Sequence, residues 1–170
     1  MEIHRTWAMP NSLTFLIPPV KDLLSQEITP GCWLDPFARD SNLSTMFTRI
    51  ITNDLNPGCN TDYHMEAAEF LKLFENGYAD GILLDWPYSP RQIKECYQGI
   101  GLKEYNTKMD FYSRVKDEAA RVVKQNGKVI TFGWNSNGIG KCRGFEIIKI
   151  LLIPHGGAKN DTIVTVEKGI

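Results

Sequence analysis

Short apolar runs alternate along this chain with stretches in which apolar residues recur every three or four positions. Residues 18–27 (PPVKDLLSQE) predict a helix opened by prolines, with Val20, Leu23, Leu24 and Ile28 on one face. Cys32–Asp35 predicts a short strand ending in an acid, and Ser41 can cap a helix running to about Phe47. Arg49–Asp54 predicts a second strand ending in an acid. A helix starting at Asp62 or His64 would bury Met65, Ala68, Leu71 and Leu73. Asp80–Asp85 reads as a third strand, and residues 91–98 as a short helix. Residues 108–124 predict a longer helix with Phe111, Val115, Ala119 and Val122 on one side. Asn126-Gly127 would stop it ahead of a strand at 128–133. Strands at 145–154 and 161–168, joined around Gly156-Gly157, predict an antiparallel hairpin.

Four strands separated by helices, then a hairpin, specify an α/β fold. Its sheet is mostly parallel with one antiparallel strand near the end, and helices cover both faces. The 170 residues suit one domain over 1–170. The polar, glycine-bearing segment 99–110 is the best candidate for a mobile loop.

Composition narrows the classes. With 42% hydrophobic and 23% charged residues the chain is neither a disordered polyelectrolyte nor a linker. No apolar run approaches the ~20 residues of a membrane span, and the N-terminus lacks a signal-peptide core. The four cysteines (32, 59, 96 and 142) form no C-x-x-C pair, and the three histidines are scattered, so no metal site is expected. The net charge of −1 hides an asymmetry. Residues 1–90 hold five basic and twelve acidic side chains, 91–128 hold nine and five, and 129–170 hold five and three. A polyanion would be repelled by the first half and tolerated by the second.

Candidate chemistry sits at the strand ends. In an open parallel sheet ligands bind beyond the carboxyl ends of the strands, near a switch point. Here three successive strands end in Asp35, Asp54 and Asp85. Each alone could be a helix cap. Together they would line one crevice with carboxylates suited to hydroxyls and amines. Phosphate-binding patterns fail: Gly140-Lys141 lacks the upstream glycine and is followed by Cys142, and glycines 138, 140 and 144 do not fit G-x-G-x-x-G. Asp85-Trp86-Pro87-Tyr88 directly follows a buried strand. A carboxylate, a kink that aims a carbonyl and an aromatic ring could clamp a planar base bearing an amine; a turn with two core aromatics is the equally open alternative.

Asp85-Trp86-Pro87-Tyr88 resembles the D-P-P-Y motif of S-adenosylmethionine-dependent adenine DNA methyltransferases. Asp35-Pro36-Phe37-Ala38 resembles their D-P-F-x-G-x-G segment, Asn53-Asp54-Leu55-Asn56 the acidic strand end that holds the ribose, and Glu66-Ala67-Ala68-Glu69-Phe70 the D-A-x-x-F segment beside the cofactor adenine. Residues 9–12 through Phe15 and Ile17 resemble the motif preceding the fold in one permutation class. The likeness is to the small phage-type enzymes and covers essentially the whole chain.

The resemblance implies a Rossmann-like sheet, S-adenosylmethionine as cofactor, a nucleic-acid partner (DNA ahead of RNA), and the cytoplasm of a phage host or bacterium. It implies that Pro10, Asn11, Thr14 and Phe15 approach the methionine part, and that Asp35, Pro36, Phe37, Ala38 and Ser41 meet the amino-acid group. Asp54 with Asn56 would take the ribose, and Glu66 with Ala67 the adenine. Asp85, Trp86, Pro87 and Tyr88 would receive the target base, with Arg91, Lys141 and Arg143 toward phosphates. Trp86 stands where the motif has its first proline, and Arg39 and Ser41 stand where glycines are usual. With no separate target-recognition module, low built-in sequence specificity is expected, on unpaired strands or through a homo-oligomer. Two alternatives stay open: a non-catalytic cofactor- or partner-binding protein on the same fold, and methyl transfer to RNA, a protein or a small molecule.

Overall fold

A computed structural model of the chain describes residues 1–41, 43, 49–102 and 110–170. Seven strands form one sheet: β1 (Glu2–Arg5), β2 (Trp33–Asp35), β3 (Ile50–Thr52), β4 (Ala79–Leu84), β5 (Val123–Gly133), β6 (Phe145–Ile153) and β7 (Thr162–Gly169). Their order is β1-β6-β7-β5-β4-β2-β3. All neighbouring pairs are parallel except those made by β7, which runs antiparallel to β5 and β6. The mostly parallel sheet with its C-terminal hairpin is the architecture read from the sequence.

Among the described residues the helices with a full range are α1 (Pro18–Glu27), α2 (Ala67–Leu71), α3 (Pro90–Gly99) and α4 (Asp110–Val122). Strand residues alternate between two cores, as the two-residue strand period requires. Ile82, Leu84 and Val129 pack with α2, α3 and α4 on one face. Leu83, Ile130, Phe132, Val164 and Val166 pack with α1 and Phe15 on the other. Gly81 is required here, because a methyl group at that position would run into the Trp33 ring.

Four expectations change. β1 has no apolar period and is exposed throughout; it joins the sheet edge through its backbone, parallel to β6. The helix expected from Asp62 or His64 begins only at Ala67, because Asp62 instead accepts from the backbone and hydroxyl of Thr52, each at 2.8 Å. Leu73, expected in the core, is exposed. The helix expected to reach 124 ends at Val122, and β5 begins at Val123 opposite Ala79; pairing resumes only at Gly81–Lys128, past Asn126 at φ +63°. The helix expected after Ser41 and the 103–109 part of the glycine-bearing loop lie outside the described residues. Among the described residues no helix is long and apolar enough to cross a membrane.

Candidate active site

The first crossover places β3 and β4 on opposite sides of β2, so the sheet's switch point lies between β2 and β4. Asp35 ends β2, Asp54 lies two residues past β3, and Asp85 directly follows β4. The three strand-end acids therefore stand side by side. Above them opens a cavity of about 830 Å³ lined from five parts of the chain: residues 10–17, 36–39, 54–67, 85–97 and 134–162.

Backbone amides hold the first two carboxylates. The Phe37 amide donates to Asp35 Oδ1 at 3.1 Å, and the Asn53 amide donates to the Asp35 carbonyl at 2.8 Å. Asp35 is fully buried and its Oδ2 has no partner among the described residues. Burial, reinforced by the charges of Asp85 and Asp54, pushes its carboxyl well above the usual range against the Phe37 amide. Asp54 accepts from the Arg39 amide at 3.0 Å on one oxygen and from the Asn56 amide at 2.8 Å on the other. Asp54 also lines the cavity.

Arg39 occupies a position where the resemblance expects glycine, and it adopts φ +51°, the left-handed backbone a glycine would supply. Arg39 also lines the cavity, and its guanidinium donates to the Ser12 carbonyl at 2.9 Å, tying the N-terminal segment to this turn. Asn53 is buried and does further knitting: its Nδ2 donates to the carbonyls of Pro36 and Met65 at 3.1 and 2.9 Å, and its Oδ1 accepts from the Met65 amide at 3.1 Å. This one side chain fixes the turn after Asp35 relative to the segment that carries Glu66.

Side chains hold the third carboxylate. Tyr88 donates its hydroxyl to Asp85 Oδ1 at 2.7 Å. Burial raises the Asp85 carboxyl, while hydrogen bonding from Tyr88 and Thr14 opposes the rise. Burial and the neighbouring Asp85 charge push the Tyr88 phenol far above its ordinary value, so it remains a donor. Trp134 meets the Tyr88 ring edge-on at 5.6 Å. The Trp86 indole packs edge-on against Tyr112 at 5.6 Å, with Lys116 over its face. The Tyr112 hydroxyl donates to the Pro87 carbonyl at 2.6 Å. Ser89 then caps α3, and the Tyr88 amide donates to Gln92 Oε1 at 2.6 Å.

The cavity brings together Pro10, Asn11, Thr14, Pro36, Phe37, Asp54, Glu66, Ala67, Asp85, Trp86, Pro87 and Tyr88. Phe15, Ala38 and Ser41 line a smaller adjoining depression, and Phe15 also packs on Phe132. Asp35 lies beneath the floor, and Asn56 acts through its backbone on Asp54. The three expected phosphate contacts do not line the cavity: Arg91 pairs with Glu95 at 2.8 Å, Arg143 pairs with Asp117 at 2.7 Å and bonds the Ile139 carbonyl, and Lys141 is exposed beside it. Tyr97, Trp134, His155 and Lys159 also line the cavity and were not expected there. His155 is held between the Ala8 carbonyl and the Thr162 hydroxyl, each at 2.8 Å. Its Nδ1 therefore carries the proton, because a carbonyl can only accept.

No protein-family model matches the sequence, and no curated protein does. Solved structures do match the fold. TrmN from Thermus thermophilus superposes with a TM-score of 0.62 at 16% identity, over 91% of this chain and 49% of its own. A SAM-dependent methyltransferase from Archaeoglobus fulgidus superposes with a TM-score of 0.65 at 9% identity, over 89% and 91%. The chain has the methyltransferase fold. The 1,6-didemethyltoxoflavin-N1-methyltransferase of Burkholderia thailandensis, solved with its substrate and S-adenosylhomocysteine, matches at 0.61 and 13% identity, over 89% and 76%. The chain thus spans about half the length of the Thermus protein and most of the other two.

Proposed function

We propose that this chain is an S-adenosylmethionine-dependent methyltransferase acting on the exocyclic amine of adenine in DNA, with little sequence preference of its own. The observation that carries the reading is the juxtaposition of Asp85 and Tyr88 with Asp54 and Glu66 in one cavity at the switch point. The acceptor set fits the cofactor. Asp54 can accept from adjacent hydroxyls and Glu66 from an aromatic amine, both at the cavity wall, while Asp35 beneath them holds the Phe37 turn. When bound, S-adenosylmethionine supplies an electrophilic methyl group.

The chain's residues then have to position an amine. The amine of adenine is a weak nucleophile because its lone pair is delocalised into the ring. Asp85 and the Trp86 carbonyl accept its two hydrogens, which favours a pyramidal nitrogen with its lone pair free. Tyr88 offers the ring face on which a base stacks. This is catalysis by positioning and electrostatics, with no covalent enzyme intermediate. Trp86 suits the role in place of proline, since its indole is anchored on α4 and the role belongs to its main chain.

One observation favours a second acceptor class. Several of the described cations that would track phosphates pair with acids: Arg91 with Glu95, Arg114 with Glu69, Arg121 with Glu118, Lys124 with Asp80 and Arg143 with Asp117. A small planar heterocyclic amine would need no such track. Titration calorimetry with S-adenosylhomocysteine tests the cofactor reading, and absence of binding overturns it. Methyl incorporation into single-stranded DNA, duplex DNA and free adenosine then separates the acceptors. DNA as acceptor gives activity that falls with salt, because phosphate contacts release counterions. Salt-insensitive methylation of the free nucleoside alone would establish the small-molecule reading.

A further inference from the structure

Two segments bring an aromatic ring and a cation to the cavity wall, and each is held from within the fold. Trp134 follows Gly133, the last residue of β5, and lines the cavity while 42% exposed. The loop after it is seated on fully buried Glu167 of β7: the Ile139 and Gly140 amides donate to its two oxygens at 2.7 and 2.9 Å. Gly138 is required over that carboxylate, because a methyl group there would collide with it. Lys159 lies in the connection between β6 and β7, and His155, bonded to Ala8 and Thr162, fixes that connection. Gly133 pairs with Ile163 just past it, so the two segments leave the sheet side by side.

An exposed lysine is ordinarily just solvated. Lys159 lines a cavity together with Asp54, Glu66, Asp85 and Glu95, yet its ammonium has no hydrogen bond or ion pair among the described residues. Arg39, the other lysine or arginine on the cavity wall, is committed to the Ser12 carbonyl. The wall thus carries one cation open to an anionic group and, on the neighbouring segment, one open aromatic ring.

From this arrangement we infer that the acceptor is held as part of a single strand: the base next to the target stacks on Trp134, and the phosphate between the two nucleotides pairs with Lys159. The inference rests on the proposed function and extends it from one base to two. The Tyr88 and Trp134 rings stand at 69° to each other. A target base on Tyr88 and its neighbour on Trp134 are therefore far from parallel and cannot remain stacked on each other. A single strand splays in this way with little loss, whereas a duplex gives up a base pair and its stacking. One lysine also suits one phosphate rather than a track along a duplex, in keeping with the acid-paired arginines elsewhere.

The test is fluorescence anisotropy of a short labelled DNA with one central adenine, titrated with the full chain saturated with S-adenosylhomocysteine. The single strand should bind at least about tenfold more tightly than the same sequence in a duplex. Trp134→Ala should weaken the single strand about tenfold, and that loss should vanish when the positions flanking the adenine are abasic. Lys159→Gln should weaken it about fivefold or more, and that loss should vanish when the adjoining phosphates are replaced by uncharged methylphosphonates. Equal affinity for strand and duplex, no binding of the single strand, no loss in either variant, or losses that persist on the modified probes would each overturn the inference while leaving the enzyme reading intact. Failure of the unaltered protein to bind S-adenosylhomocysteine would overturn the methyltransferase reading itself.

Discussion

Asp54 and Asp85 line the same cavity, yet they are held by different means. Asp54 takes two backbone amides, from Arg39 and Asn56, and neither donor can rotate away. Asp85 takes the hydroxyl of a side chain, Tyr88, on a segment steadied by Tyr112 from α4. A carboxylate seated on amides is a preformed socket. A carboxylate bonded to a hydroxyl can exchange that partner for another donor, and an incoming amine is one. Under the proposed function, the contrast suits Asp54 to the hydroxyls of the methyl donor and Asp85 to the incoming amine.

The largest effect that would test this contrast is on turnover. Asp85→Ala should lower methyl transfer by more than about a hundredfold, the scale set by removing one preorganised polar group from a reacting centre. Affinity for S-adenosylhomocysteine should stay within a few-fold. Methyl incorporation and calorimetry on the same preparation read both quantities. Unchanged turnover would reduce the Asp85–Tyr88 pair to a structural turn.

Asp54→Ala should do the reverse. It removes an acceptor from two hydroxyls, and hydrogen bonds to charged groups contribute roughly 1.5–3 kcal/mol each. Cofactor affinity should fall at least tenfold, with turnover at saturating cofactor much less affected. An equal loss in turnover would mean that the two carboxylates do not divide the work as their partners suggest.

The same contrast explains what could be read from the sequence. Asp35 and Asp54 bond amides two residues ahead, at Phe37 and Asn56, and such contacts follow from the local sequence. The α/β alternation, the acids at the strand ends and the C-terminal hairpin are local in the same sense. What stayed hidden depends on distant pairing. Tyr112 reaches Pro87 across 25 residues and Tyr97 reaches Glu66 across 31. His155 closes on Ala8 from the other end of the chain. β1 is invisible to periodicity because it is exposed throughout and joins the sheet through backbone pairing with β6. The sequence likewise gives charge but not the partner: Arg114, Arg121 and Arg143 each have an acid beside them.

A finer test bears on the pH profile. Burial raises the Asp85 carboxyl, and the Tyr88 hydroxyl lowers it. If acceptance of the amine needs the ionised form, the rate should climb as pH rises through that raised value and then level. Tyr88→Phe removes the hydroxyl that stabilises the carboxylate, so the rising limb of kcat/KM should move to higher pH. Asn56→Ala, which alters a side chain bonded to the Gly58 amide and not to Asp85, should leave the limb in place. A limb unmoved in Tyr88→Phe would mean that another group controls the profile.

The smallest effect concerns Arg39, whose backbone seats Asp54 while its side chain ties down Ser12. Its φ of +51° is strained for any residue with a Cβ, at roughly 1–2 kcal/mol. Arg39→Ala keeps the strain and loses the tie, so urea unfolding should show a loss near the ~1 kcal/mol of one hydrogen bond. Arg39→Gly loses the tie and the strain, but glycine also gains freedom in the unfolded chain, worth about 0.4–1 kcal/mol. The two glycine terms leave it between about 0 and about 1.6 kcal/mol more stable than the alanine variant. The Arg39 amide still reaches Asp54 in either variant, so cofactor affinity should change less than in Asp54→Ala. An alanine variant more stable than the glycine variant would mean that the turn relaxes out of the left-handed region once the guanidinium is gone. The socket around Asp54 would then be held by the Ser12 tie, and its rigidity would depend on a side chain just as that of Asp85 does.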